Sequence, residues 1–348
     1  MKVFAYYYPG FFDDEYRISG SEWNVVKSAK PRNERHYQPR IPVGGYYNQC
    51  NPDSCKAQIE LAMQYGINGF MICYYWDFES SQPIMNQPLE NLMEVIKDFD
   101  FEFNLMWVLR LPHRNLPIEN GDYGNYNNHP WFKQRIQPYR KDPRFEAEIK
   151  RICAHPNYRK DHSGKAIFQV YSLSEIIELY GDDAVNILSQ FNDYHIQAVC
   201  GRADNWIEET HTLGIDSLTT YVTLVDFDSH KIVLKHAGCV EEQPEVWKKI
   251  CSRTDVPFYP SVASGWDASP RGTYASGFKI KKFPWSPIVI DANPADFAKN
   301  LLLAKDLILK NGADIHIASW NEWSEGHYIE PDQKFGNAFL EKVASLKH

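Results

Sequence analysis

A single (β/α)8 barrel with long loops on its C-terminal face is the fold class this 348-residue sequence predicts. Three observations predict it. Eight short apolar runs alternate with helix-like segments along the chain, with no linker and no repeat at solenoid spacing. The clearest run, Gly69-Phe70-Met71-Ile72-Cys73-Tyr74-Tyr75-Trp76, is apolar throughout, as a parallel strand covered on both faces is. No Gly-rich phosphate loop follows the first run, which argues against an open dinucleotide-binding sheet. The length would also fit two smaller domains, but the unbroken alternation favours one barrel domain over 1–348.

Val3 to Pro9 reads as the first strand, stopped by Pro9-Gly10. A polar stretch follows, carrying Ser21-Glu22-Trp23-Asn24 and His36-Tyr37-Gln38-Pro39. It has little helical period and reads as a functional loop. Asn51-Pro52-Asp53-Ser54 caps a helix over 55–65, with Gly66 as its stop. The second strand covers 69–76 and a helix follows over 89–98. The third strand, 101–108, delivers Trp107 and Arg110. Residues 111–143 are rich in Asn, Pro, Gly, Tyr and His and read as a long loop over the same end of the molecule. A helix over 144–154 precedes the fourth strand at 166–171, and a helix over 183–191 precedes the fifth at 196–200. The sixth strand is expected at 217–222, a helix at 244–251, and the seventh strand at 258–262. A helix over 294–309, an eighth strand over 313–320 and a helix over 337–346 complete the series.

Composition narrows the partners. Hydrophobic residues make up 43% and charged residues 24%, as in an ordinary globular protein. The net charge is −8 with no basic stripe, which disfavours nucleic acid. The aromatic load is high, with 10 Trp, 21 Tyr and 19 Phe, and many rings stand beside polar residues at strand ends. That pattern fits a ring-lined cleft as well as a heavy core. Seven Cys without metal-type spacing favour buried thiols and a reducing compartment. No secretory apolar region opens the sequence and no run reaches membrane-spanning length, so no membrane insertion is expected. The localisation expected is cytoplasmic, although a mature form without its signal peptide would read alike.

The candidate chemistry gathers in Ile315 to Pro331, where an apolar run turns into carboxylates and aromatics. Barrel active sites sit at the C-terminal ends of strands. Tyr7, Tyr8, Tyr75, Trp76, Trp107, Arg110, Tyr171, Arg202, Tyr221, Trp266, Asp267, Glu322 and Glu325 all fall at such ends. Rings stack on the C–H face of a sugar while polar groups bond its hydroxyls. Strand alternation points His316, Ala318, Trp320 and Glu322 into the barrel. Glu325 joins Glu322 only if the chain turns near Trp323 or Ser324, and Gly326 suits that turn. Carboxylates held about 5–5.5 Å apart are those of retaining glycosidases. His316 reads as a hydrogen-bonded core histidine, Glu330 as structural or rim. His113, His129 and His155 receive no role. Ser261 and Ser264 lack the G-x-S-x-G elbow of a serine hydrolase.

Several stretches together resemble the WbsX-like proteins, and through them the glycoside hydrolase family 99 clan. They are Tyr7-Tyr8-Pro9, Ser21-Glu22-Trp23-Asn24, His36-Tyr37-Gln38-Pro39, Tyr65-Gly66-Ile67-Asn68-Gly69-Phe70, Gly265-Trp266-Asp267 and Trp320-Asn321-Glu322-Trp323-Ser324-Glu325-Gly326. The resemblance implies a (β/α)8 barrel and a retaining glycoside hydrolase acting on a polysaccharide or glycan. By the same resemblance, Glu322 is the base that helps a sugar 2-hydroxyl attack the anomeric carbon, and Glu325 the acid on the leaving oxygen. Tyr7, Tyr8, Glu22, Trp23, Tyr75, Trp76, Trp107, Arg110, Trp266, Asp267, Asn321, Trp323 and Tyr328 are the expected substrate-binding residues, with no metal and no cofactor. The Ala-Asn-Glu-Asn-Trp stretch usual in the family after the third strand is replaced by Trp107-Val108-Leu109-Arg110-Leu111-Pro112, so mannose specificity does not transfer. A glycosyltransferase of polysaccharide assembly and a non-catalytic glycan-binding barrel are the alternatives. The first would draw a donor diphosphate site from Arg110, Arg202 and Arg271.

Overall fold

The computed structural model describes residues 1–17, 20–112, 114, 116–119, 138–171, 173–309 and 312–347. Most of the loop expected at 111–143, with His113 and His129, lies outside the described residues. Eight barrel strands are present among the described residues. They are β1 Val3–Tyr7, β2 Gly69–Asp77, β3 Glu102–Val108 and β4 Ile167–Tyr171. β5 is His195–Cys200, β6 Ser217–Thr220 and β8 Ile315–Ala318. β7 is one stretch in two pieces, Phe258–Tyr259 and Ser261–Ala263.

Every neighbouring pair is parallel. Closure falls to β7. Its first piece pairs with β6 (Leu218 opposite Phe258) and its second with β8 (Ser261 opposite His316). Pro260 lies between them. It has no N–H to give, but its carbonyl accepts from the His316 N–H at 2.9 Å, so the ladder survives the proline.

The helices between the strands carry ordinary signals. α1 is Glu22–Ser28, α2 Pro52–Gln64, α3 Gln87–Val95 and α4 Pro143–Cys153. α5 is Leu173–Tyr180, α6 Ala184–Ser189, α7 His236–Cys251, α8 Pro294–Ile308 and α9 Ala338–Ala344. Asn51, Asp142 and Asn293 cap α2, α4 and α8 with side-chain oxygens, each followed by Pro at the first helical position.

Three expectations fail for physical reasons. The stretch read as irregular after β1 contains α1, only seven residues long, whose helicity rests on burial of Trp23, Val25 and Val26 rather than on propensity. α5 was not foreseen. α7 starts eight residues earlier than the Pro244 start suggests, because buried His236, Cys239, Val240, Gln243, Trp247 and Ile250 hold one face on both sides of that proline.

Alternation divides the apolar residues into two layers. Val3, Ala5 and Tyr7 of β1, Phe70, Ile72, Tyr74 and Trp76 of β2, and Trp107 of β3 pack outward under the helices. Phe4, Tyr6, Met71, Cys73, Tyr75 and Met106 fill the inside. Each large side chain fully removed from water contributes about 1.5–3 kcal/mol. The N-terminal end of the barrel is closed by polar groups that bond one another. Gln169 Nε2 donates to Gln197 at 2.7 Å, and Gln197 Nε2 to Ser217 Oγ at 3.0 Å. His316 bonds Thr219 Oγ1 at 2.7 Å and faces Arg159 at 3.2 Å, as a core histidine should.

Candidate active site

The open, C-terminal end of the barrel holds a cleft of about 1190 Å³. Glu322 and Glu325 lie in its wall with the rings of Tyr8, Tyr75, Tyr171, Tyr221 and Trp266. The route by which the chain delivers the carboxylates differs from a strand running into the cleft. β8 ends at Ala318, and Trp320 turns outward onto Phe70, with ring centroids 5.3 Å apart. Strand alternation therefore stops before Glu322. Glu322 is placed instead by a β-hairpin in which Asn321 pairs with Tyr328 and Glu322 with His327. The turn expected between the carboxylates is there: the Gly326 N–H bonds the Glu322 carbonyl at 3.0 Å, with Gly326 at φ +69°. A side chain at 326 would also meet the Arg40 guanidinium.

The hairpin is pinned from three sides. The Asn321 carboxamide accepts from the Tyr8 N–H at 2.8 Å and donates to the Tyr8 carbonyl at 3.0 Å, tying it to the end of β1. Ser319 Oγ accepts from the Glu322 N–H at 2.8 Å. The Asp267 N–H donates to the Glu325 carbonyl at 2.7 Å.

One guanidinium joins the acidic groups. Arg271, on the turn after β7, donates through Nη2 to Glu322 at 2.9 Å and through Nη1 to Glu325. Its Nε faces Ser324 Oγ at 2.9 Å and Glu22 at 3.1 Å. Glu22 also pairs with Arg17 Nε at 3.3 Å. Burial pushes the Glu322 carboxyl well above its ordinary range; Arg271 opposes this, while the charges of Glu325 and Glu22 add to it. Burial acts on Glu22 in the same direction, but Arg271 and Arg17 outweigh it and leave Glu22 below its ordinary value. His327 Nε2 faces Glu325 at 3.1 Å, and burial holds its imidazole below the usual range despite that carboxylate. The His327 ring stacks on Trp266 at 5.4 Å, with the planes 10° apart.

Of the residues expected to touch substrate, Tyr8, Tyr75, Arg110 and Trp266 line the cleft with the two glutamates. The others do not, and alternation explains three of them. Tyr7, Trp76 and Trp107 sit one residue out of phase with Tyr8, Tyr75 and Met106 and face the helices. The Tyr7 hydroxyl donates to Gln58 at 2.8 Å, and the Trp76 indole to Asp142 at 3.1 Å. Glu22 is fully buried behind Arg271. Trp23 packs among Phe11, Tyr46, Tyr47 and Trp323. Asp267 turns away from the cleft into a cage of His36 at 2.8 Å, Gln38 at 2.6 Å and the Ser269 N–H at 3.1 Å. Burial alone would raise its carboxyl, yet His36 and Arg40 hold it far below the ordinary value. Asn321 is the tie to β1 already described. Trp323 stacks on Tyr328, centroids 3.7 Å apart, and each bonds a buried acid, Glu330 and Asp332 respectively. These residues build the site from behind.

Arg271, Tyr221, Ser324 and His327 belong to the site and were not among the expected substrate contacts. Tyr221 Oη lies 3.5 Å from Glu322. It directly follows β6, where position alone marks it; Arg271 falls in an irregular stretch that carries no such signal.

Comparisons with known proteins bear on the family and the fold. The family model described as "Glycosyltransferase WbsX" matches residues 3–343. Proteins designated WxcX from two strains of Xanthomonas campestris pv. campestris are 24% identical over 97% of this chain. The chain spans about half the length of these curated relatives, covering 48% of each. Among solved structures, a GH99 endo-alpha-mannosidase from Bacteroides thetaiotaomicron superposes with a TM-score of 0.60 at 15% identity, over 99% of this chain and 95% of that one. A structure described as a glycoside hydrolase-like protein does so at 0.60 and 14%, over 99% and 93%. At such identities the likeness speaks for the barrel fold.

Proposed function

Because this chain belongs to the WbsX family, we propose that it is a carbohydrate-active enzyme and, more finely, a retaining glycoside hydrolase that uses Glu322 and Glu325 as its acid–base pair. One observation carries the reading. The two glutamates meet on a single guanidinium in the wall of a ring-lined cleft, with one of them pushed toward its protonated form. Glycosidic cleavage needs one protonated and one ionised carboxyl on either side of the bond. The cleft volume exceeds the usual 300–1,000 Å³ of a small-molecule pocket, which suits an oligosaccharide.

The roles implied by resemblance make Glu325 the acid and Glu322 the base. Burial raises the Glu322 carboxyl, and these roles require the proton to lie on Glu325 once a glycan oxygen enters. Leaving-group rescue reads the roles directly. Glu325→Gln is expected to lose turnover of natural glycans while retaining an aryl glycoside whose phenolate needs no protonation. Rescue of Glu322→Gln instead reverses the two roles, and full turnover of both substrates by Glu325→Gln removes the acid assignment.

The family description favours a second reading, a glycosyltransferase. The three arginines named for a donor diphosphate already have partners, although Lys249 also lines the cleft. Arg110 pairs with Glu175, Arg202 donates to the Thr223 and Leu224 carbonyls, and Arg271 holds three glutamates. Asp204, Asp226, Asp228, Glu241 and Glu245 add negative charge to the wall. These features oppose a nucleotide diphosphate. Calorimetric titration with nucleotide sugars separates the readings: a hydrolase gives no heat of binding, a transferase does.

A further inference from the structure

We propose that Phe227 is a glycan-binding residue, the stacking platform of a second subsite that takes a neutral pyranose unit along the cleft from Glu322 and Glu325. The subsite rests on the glycan reading of the cleft and deepens it.

Phe227 lies on the loop after β6 and is 48% exposed, while Leu224 and Val225 just before it are each 1% exposed. A lone exposed ring is ordinary on a protein surface, but this one lines the cleft that holds the two glutamates. The backbone that presents it is fixed on both sides. Arg202 donates to the Thr223 carbonyl through Nε at 2.9 Å and Nη2 at 2.7 Å, and Gln243 Nε2 donates to the same carbonyl at 2.7 Å. A single 3-10 turn follows at Phe227–Ser229. Asp226 caps it by accepting from the Asp228 N–H at 3.0 Å, and Ser229 Oγ donates to the Asp226 carbonyl at 2.7 Å. His230 ends it at φ +54°. A ring on so short and well bonded a turn loses little freedom when a ligand arrives.

Ring contacts connect Phe227 to the reacting end. Tyr221, whose hydroxyl lies 3.5 Å from Glu322, stands edge-on to His327 at 5.2 Å. His327 stacks on Trp266 at 5.4 Å, and Trp266 meets Phe227 at 5.0 Å with the planes 83° apart. Tyr221, Trp266 and Phe227 all line the cleft, so an aromatic wall runs from the glutamates to Phe227. A perpendicular contact covers at most one face of the Phe227 ring, so Trp266 leaves the other for a ligand. An aromatic face packs on the C–H face of a pyranose. Asp226 and Asp228 flank the ring in the same lining. Their carboxylates accept from sugar hydroxyls and repel a uronate, so the unit on the ring is a neutral pyranose.

Calorimetric titration tests the subsite with neutral gluco-, manno- and galacto-oligosaccharides of two to six units, and with oligogalacturonides as the anionic series. Phe227→Leu keeps an apolar side chain against Trp266 but removes the flat face, so a merely structural role would survive it. Phe227→Tyr keeps the face. For the neutral series that wild type binds, Phe227→Leu should weaken binding little at two units and about tenfold at four to six. Phe227→Tyr should stay within about threefold of wild type. Oligogalacturonides of four to six units should bind wild type at least about tenfold more weakly than neutral chains of that length. No loss in Phe227→Leu, a loss that is the same at every length, or a Phe227→Tyr as weak as Phe227→Leu overturns the subsite. Oligogalacturonides that bind as tightly as neutral chains overturn its neutral character. If wild type binds none of the neutral series, the glycan reading fails and the subsite with it. Binding by wild type beside an unaffected Phe227→Leu removes the subsite alone.

Discussion

Glu330 gives the sharpest stability prediction. It is buried behind the hairpin and accepts three donors: Tyr47 Oη at 2.7 Å and Trp323 Nε1 at 2.7 Å on one oxygen, and Gln58 Nε2 at 2.7 Å on the other. Burial raises its carboxyl from 4.5 to about 7, with the three donors pulling the other way. A raised carboxyl means that the folded chain holds the proton over a range in which the unfolded chain has lost it. Its contribution is thus fully present below about pH 4.5 and is lost as pH rises through about 7. At 1.36 kcal/mol per pH unit, a gap of that size corresponds to about 3 kcal/mol between the two limits. Glu330→Gln cannot titrate. Its carbonyl can still take Tyr47 and Trp323, but its NH2 then faces the NH2 of Gln58, a constant cost of about 1–3 kcal/mol. Urea unfolding of wild type and variant from pH 4.5 to 8 is the assay. The variant should be the weaker protein at pH 4.5, and the difference should shrink or change sign by pH 8, with the midpoint of the change near 7. Glu322 titrates in both proteins and cancels from the difference. A wild-type-minus-variant difference that is flat with pH refutes the reasoning, because Glu330 would then ionise alike in both states.

The other predictions concern the site and its scaffold. Gly326→Ala forces a Cβ onto a backbone at φ +69° and into Arg40, so it should cost about 1–2 kcal/mol in thermal unfolding. Turnover should fall by more than that loss explains, since the turn carries Glu325. Trp107→Ala empties an outer-layer position packed on Phe145, Phe168 and Phe191 and should cost about 3–5 kcal/mol. Oligosaccharide binding by the folded fraction should be unchanged. Trp266→Ala should do the reverse and weaken oligosaccharide binding, measured by calorimetry, because its ring faces the cleft.

How far the sequence foretold this site depends on which kind of signal each residue carries. The eight strands were legible because a parallel strand covered on both faces must be an apolar run, and Phe70 to Trp76 satisfies that almost alone. Strand-end position also leads to Tyr8, Tyr75 and Trp266, which line the cleft. The errors arose where position along a strand was used without its phase. Tyr7 with Tyr8, and Tyr75 with Trp76, are adjacent in sequence and face opposite layers, so no such pair can share one cleft. Phase reasoning itself failed at the eighth strand, because the chain leaves it at Ala318 and re-enters order as a hairpin. The alternation of Ile315 to Ala318 says nothing about Glu322 once the ladder is broken.

Arg271 shows a different limit. The sequence offers Arg271 only as a cation for a donor diphosphate, and nothing in Ser269-Pro270-Arg271 points to its glutamates, since a salt bridge has no period and no spacing along the chain. Its partners lie 249, 51 and 54 residues away, and only the closed barrel brings them together. Glu22 is its counterpart from the other end of the sequence. It stands beside an aromatic in a family-like motif, which made it look like a substrate contact, yet it is buried behind the guanidinium it anchors. The site therefore has two depths. The rings and carboxyls of the cleft wall follow from strand ends and can be read locally. The charges that hold those carboxyls in place are long-range, and Arg271 meets Glu22, Glu322 and Glu325 only once the barrel has closed.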